Sequence, residues 1–453
     1  MRSPSVSFAV AAALAAGLCL GCEKQHAAPV DPTPTAAPHA PTVASTQAAT
    51  PPTKQAPPAE ASKPAKPKPM NVILLVVDAM RDDMPWNGYK RDIAPNLTRL
   101  HAKSISYERG YSISSFTSKS VAGLISGQYP SSLSRTTPFF TKYRDKNTFL
   151  AEVLQERGIR TLGAHAHMYL KEAAGFHQGF EVWEMVPKIE WDYNKDPFIT
   201  SPDHTKLVIN QLSRPENVSG KFFAYYHYMD PHDTYNSHEV APKWGKRARD
   251  RYDEEIWFTD LHIEKMLNFV WSQPWGKQTA IVVTGDHGEA FGEHKFYKHA
   301  FEVYEVLVRV PLFVHIPGVE PRTIARWRGH IDLAPTICEL MGVPVPDWMA
   351  GTSLVPELLG EQVPPRAIVA DLPADSFNVR HRALIEEQSG YKLVAMGRDM
   401  RFELYNVRKD PGETLDLIKS EPERAEQMIA RYKELSKAIP EVKAEGGKPV
   451  KPE

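Results

Sequence analysis

The sequence predicts an α/β fold: a large mixed, mostly parallel sheet between helices, followed by a small C-terminal α+β subdomain. Three observations carry this. After Asn71, the six residues Val72-Ile-Leu-Leu-Val-Val77 are apolar without alternation, the pattern of a strand buried on both faces. Similar runs at 221–229 and 279–284 are separated by helical patterns, which gives the strand–helix alternation of a parallel sheet. From about residue 360 the texture changes to short strands and one helix, the signature of an antiparallel appendage.

The 453 residues suit one large α/β domain with that appendage. A formal net charge of −1 gives no reason to expect nucleic acid as a partner. Arg2, an Ala- and Leu-rich stretch over 6–20 and then Cys19-Leu-Gly-Cys22 resemble a bacterial lipoprotein signal peptide. Cys19 stands where such signals usually have Leu. The alternatives are an ordinary secretory signal and an uncleaved anchor. Lipidation of Cys22 is favoured because polar, Pro-rich sequence follows at once; it would hold the protein on a membrane outside the cytoplasm. Residues 23–69, rich in Pro, Ala, Thr and Lys, bury too little to offset ordering and read as an extended tether. Cys338 is then the remaining cysteine, in an apolar helical pattern, and reads as a core residue.

Folded sequence begins near residue 70. A short helix is expected from Ala94-Pro-Asn-Leu. A second should start at Thr117-Ser118 and stop at Gly127. Its start offers free backbone N–H groups and a positive dipole end to an oxyanion. Helices are expected over 147–157 and 247–271. Strands are expected over 159–164 and over 308–316, the latter broken at Pro311. Beyond 360, strands are read at 366–371, 383–387, 391–396 and 401–406, and a helix at 422–437. The boundaries that follow are 70–360 for the main domain, 361–440 for the subdomain and 441–453 for a disordered tail.

Three buried runs end on potential ligands: Asp78, Asp230 and the pair Asp286-His287. In open α/β sheets, ligands bind at the carboxyl ends of strands. Two carboxylates and an imidazole suit a divalent cation, Zn or Mn by donor type, with Ca or Mg as further options. Gly285 and Gly288 allow tight backbone turns there. Residues 165–220, with Trp183, Trp191 and Tyr193, are placed to shape a leaving-group pocket.

Here a resemblance becomes specific. Asn71 to Asp83 resembles the opening strand of the sulfatase branch of the alkaline-phosphatase superfamily, and Thr117 to Gly127 its nucleophile helix. Asp230-Pro-His232, Thr284-Gly-Asp-His-Gly-Glu289 and Tyr304-Glu…Arg309-Val-Pro311 follow in the family's order. Ile331-Asp-Leu-Ala-Pro-Thr336 and Asp410-Pro-Gly-Glu413 continue it. The resemblance implies an alkaline-phosphatase-like core and a metal-dependent ester hydrolase or phosphotransferase. It places Asp78, Asp286 and His287 on metal ligands and Thr117 on the metal-bound nucleophile. His232 and Lys298 fall on groups that hold the ester oxyanion, and His299 on a second-metal or oxyanion position. Asp230 is a weaker ligand candidate beside its reading as a turn residue. Glu289 is expected to orient a ligand and His294 to be structural.

The departures shape the expected chemistry. Sulfatases of the family make formylglycine within a Cys/Ser-x-Pro/Ala-x-Arg motif, whereas this chain has Thr117-Ser-Lys-Ser-Val121, so no formylglycine is expected. The family's second acid after the first strand is Ala79. Thr117 resembles the nucleophile of phosphodiesterases and phosphoethanolamine transferases in the superfamily. The reading is therefore attack by Thr117 on a phosphate ester, with hydrolysis or transfer following and His299 or His232 protonating the leaving oxygen. The alternatives are a sulfuric ester hydrolase and an inactive tethered binding lipoprotein.

Overall fold

The computed structural model describes residues 70–138, 140–189 and 198–446. The leader, the tether, Trp191, Tyr193 and the last residues from 447 lie outside the described residues. The main sheet takes its strands from β1 (Asn71–Val77), β2 (Ile105–Tyr111), β3 (Arg160–His165), β4 (Val182–Met185), β5 (Phe222–Tyr228) and β6 (Thr279–Gly285). After a two-residue hairpin, β7 (Ala290–Phe291) and β8 (Tyr297–Lys298), come β9 (Arg309–Val310), β10 (Leu312–His315) and β11 (Arg322–Gly329).

The order across the main sheet is β11-β2-β10-β6-β1-β5-β3-β4, with β9 paired to β2. β1 lies at its centre, parallel to both β5 and β6. Only β9 and β10 run antiparallel to their neighbours, so the sheet is mixed and mostly parallel as expected. Every residue of β1, β5 and β6 is buried, which is why these runs do not alternate. One core layer packs under Val72, Leu74 and Val76 and the other under Ile73, Leu75 and Val77. The expected strand over 308–316 is two short strands either side of Pro311, which has no N–H for the ladder.

Helix Thr117–Ser126 starts and stops where the sequence placed it, and Gly127 closes it at φ 64°. Cys338 is fully buried in helix Leu333–Leu340. No helix among the described residues is long and apolar enough to cross a membrane.

The C-terminal part is an antiparallel sheet of β12 (Ala367–Leu372), β13 (His381–Glu386), β14 (Tyr391–Met396) and β15 (Arg401–Asn406), with helix Pro422–Ala438 packed on one face. Two expectations are corrected. Residues 441–446 do not form a loose tail. Val442 N donates to Ser131 O at 2.8 Å, Glu445 N to Arg135 O at 2.8 Å, and Arg144 pairs with Glu445 at 2.7 Å. Trp183 is half-buried and held against the core: its indole stacks on Tyr225 with ring centroids 5.9 Å apart and donates to Leu170 O at 3.0 Å.

Candidate active site

The site follows from the register of three strands. β6, β1 and β5 are adjacent and parallel, with Val77 opposite Gly285 and Val76 opposite His227. Their carboxyl ends therefore bring Asp78, Asp286 and His287 to one edge. Backbone contacts fix the junction. Asp78 N donates to Tyr228 O at 2.8 Å, and Asp286 Oδ1 accepts from Ala79 N at 3.0 Å and from its neighbour His287 N at 2.9 Å. Glycine is needed here for space. A Cβ on Gly285 would lie 2.6 Å from Met80 O, and one on Gly288 would lie 2.1 Å from Val306 O. Close approach, not a left-handed turn, is the reason for both.

One ligand atom from each of Asp78, Asp286 and His287 lies within 4.8 Å of the others, and all three residues are buried. His287 Nδ1–H donates to Gly288 O at 2.9 Å, which leaves the Nε2 lone pair facing the carboxylates, 3.4 Å from Asp286 Oδ2. Burial opposes the Asp286 charge, but His287, His227 and the Ala79 N–H outweigh it and hold its pKa below the usual carboxylate range. Burial pulls the His287 imidazole down to about 4, so it is neutral near pH 7. Two buried carboxylates beside a neutral imidazole form a donor set that a divalent cation fits.

Thr117 is the first residue of its helix and 1% exposed. Its hydroxyl lies 3.0 Å from His287 Nε2. With Nδ1 acting as donor, Nε2 is the acceptor and Thr117 donates to it. One lone pair cannot accept that proton and bind a cation at the same moment, so the two uses of Nε2 alternate. One turn on, Ser120 Oγ donates to Asp286 O at 2.5 Å and locks the helix to the Asp286-His287 segment.

His232 and His299 line the same space, with ring centroids 5.2 Å apart and His299 4.2 Å from His287. Glu289 Oε1 lies 3.2 Å from His299 Nδ1. Burial raises the Glu289 carboxyl to about 7 and lowers the His299 imidazole to about 4. Lys298 is not brought into this buried group. It is 58% exposed and pairs with Asp233 at 2.5 Å, next in sequence to His232. Asp230 does not reach the cluster. It accepts from Thr200 N at 2.5 Å and Ser201 N at 2.9 Å, capping helix Ser201–Ser213. His294 stacks on Tyr304 with ring centroids 3.8 Å apart.

Two histidines escaped the sequence reading. His227 Nε2 lies 3.6 Å from Asp286 Oδ2, and His167 Nε2 lies 3.6 Å from Asp78 Oδ2. His227 sits inside an apolar run that reads as core, and the one signal was a lone imidazole one strand away from Asp78. His167 follows β3, where no pattern marks it.

The sulfatase family matches residues 70–343, and the family described as N-sulphoglucosamine sulphohydrolase, C-terminal, matches residues 292–443. This chain belongs to the sulfatase family. It is 29% identical over 163 residues to the Delta 4,5-hexuronate-2-O-sulfatase of Bacteroides thetaiotaomicron, covering 35% of this chain. The match spans about a third of that relative, 34% of its length. Among solved structures, the phosphonate monoester hydrolase of Agrobacterium radiobacter aligns with TM-score 0.67 at 16% identity, covering 82% of this chain and 96% of the other. A structure in complex with its substrate D-glucosamine-2-N,6-O-disulfate aligns with TM-score 0.67 at 18% identity, covering 82% and 98%. These two share the fold.

Proposed function

We propose that this chain is a metal-dependent hydrolase of sulfuric esters that uses Thr117, unmodified, as its attacking group. The observation that carries the mechanism is the Thr117 hydroxyl held 3.0 Å from His287 Nε2, at a helix start beside two buried carboxylates. Family membership and a relative named for sulfate-ester cleavage support the sulfuric ester over the phosphate ester.

Asp78, Asp286 and His287 would hold the divalent cation, Zn or Mn by donor type, which when bound supplies Lewis acidity to the ester oxygens and the Thr117 hydroxyl. Thr117 releases its hydroxyl proton to solvent, its Oγ bonds to the central atom, and the bond from that atom to the ester oxygen breaks. The backbone N–H groups at the helix start face the remaining oxygens. Glu289, its carboxyl raised to about 7 by burial, passes a proton to His299 Nδ1 3.2 Å away as His299, or His232 in its place, gives the leaving oxygen a proton. Water, or an acceptor hydroxyl, then attacks the central atom and frees Thr117. Lys298, paired with Asp233 near His232, would meet the substrate's outer charge.

Thr117 itself favours a second reading, phosphate esters, because an alcohol nucleophile is released only by a second attack on the central atom. Assaying an aryl sulfate, a phosphate monoester and a phosphodiester side by side decides between them. The first reading expects the highest kcat/KM on the sulfate. Turnover of none of the three would favour an inactive binding protein. We also propose export and anchoring to a bacterial membrane through acylated Cys22, on the signal resemblance alone.

A further inference from the structure

His227 is the penultimate residue of the β5 run, fully buried near its carboxyl end. Neither of its ring nitrogens has a hydrogen-bond partner among the described residues. Burying an imidazole this way costs free energy unless another group engages it. Its neighbours are the two site carboxylates: Nε2 is 3.6 Å from Asp286 Oδ2 and 3.8 Å from Asp78 Oδ2. His287 Nε2 shares Asp286 Oδ2, at 3.4 Å, and lies 3.8 Å from the other oxygen of Asp78, Oδ1. Ligand atoms around a single cation keep such spacings, since tetrahedral bonds of about 2.1 Å leave them about 3.4 Å apart.

Chain position makes the same point. Ala79 offers no side-chain donor, and its N–H is already engaged by Asp286 Oδ1 at 3.0 Å. β5 is the neighbour of β1, and His227 is opposite Val76, two residues before Asp78. The adjacent strand thus supplies a donor that position 79 lacks. His167 is set apart by its tautomer. Its Nδ1 accepts from Tyr169 N at 3.1 Å, so in the neutral ring the proton is on Nε2 and no lone pair is left there for a cation.

We propose that His227 is a fourth ligand of the cation site, making a set of two carboxylates and two imidazoles that favours Zn²⁺ over Ca²⁺ or Mg²⁺. This rests on the cation site proposed above. The test uses the purified full chain with His227→Ala and His227→Gln. Zn²⁺ affinity is measured against a chromophoric chelator, and the visible spectrum is recorded with Co²⁺ in place of Zn²⁺. The wild type should bind one equivalent of Zn²⁺. Both variants should bind it ~10-fold or more weakly, and their Co²⁺ bands should change as a nitrogen donor is lost. Added imidazole should restore the band in His227→Ala. Melting of the chelated proteins within a few degrees of one another excludes unfolding, and His227→Gln carries the comparison if the alanine variant fails to fold. Unchanged affinity, or weaker affinity with an unchanged Co²⁺ spectrum, overturns the ligand assignment and leaves Asp78, Asp286 and His287 standing. A wild type that binds no Zn²⁺ overturns the cation site itself.

Discussion

The Lys119 ammonium is buried against the Asp375 carboxylate and ties the helix that begins at Thr117 to the segment after β12. The lysine stem also crosses Phe116, with Nζ 3.7 Å from the ring centroid. Asp375 Oδ1 is occupied in turn by Phe377 N and Asn378 N, both at 2.7 Å. Burial pulls the Lys119 pKa below its ordinary value while Asp375 opposes the fall. Removing one partner leaves a buried charge uncompensated. Asp375→Ala should therefore destabilise the fold by about 3–5 kcal/mol in denaturant unfolding, and pairing it with Lys119→Met should recover much of the loss. Equal stability of Asp375→Ala and wild type would contradict this account.

Asp230 caps a helix that starts 29 residues before it, so its loss should read as a stability change. Asp230→Ala should cost on the order of 1–2 kcal/mol and leave bound metal per chain unchanged. A fall in metal content with unchanged stability would return Asp230 to the ligand set.

Stability should fall on mild acidification. Burial lowers His165 and His330 to about 3 and His204 to about 4, so each is neutral in the fold. Unfolded histidine titrates near 6.5. Between these values the unfolded chain binds more protons, so stability is full above about pH 6.5 and is lost as pH falls below it. The loss should be on the order of 1 kcal/mol per histidine for each pH step. A melting temperature constant between pH 7 and pH 5 would contradict it.

Cys22→Ala should move the protein from the membrane to the soluble fraction. Continued membrane association would point to an uncleaved apolar anchor in place of an acyl chain.

Much of this was legible because a strand buried on both faces must be apolar throughout, so an acid at its end stands out. Asp78 and the Asp286-His287 pair were read that way. The Thr117 helix was legible from its small residues and the Gly127 stop. What was not legible depends on distant neighbours. Lys119 and Asp375 are 256 residues apart, and nothing local marks the pair. His227 looks like core because its strand is core, and its orientation follows only from the β1–β5 register. Asp230 carries the same strand-end signal as Asp78, yet the free N–H groups of a helix start took its carboxylate. β11 was missed because Arg322, Arg326 and Arg328 interrupt the apolar pattern at the sheet edge, where Arg328 pairs with Glu357 and Glu387.

The central claim is that Thr117 forms the covalent intermediate. The most direct measurement is intact-mass analysis of wild type and Thr117→Ala after rapid quenching with an activated aryl sulfate and, separately, an activated phosphodiester. Wild type should gain the mass of the transferred group on the peptide carrying Thr117. Thr117→Ala should gain nothing, keep its metal and fold, and lose several powers of ten in rate, on the order of 4 kcal/mol or more. Near-normal turnover by Thr117→Ala would contradict the account and assign the attack to water.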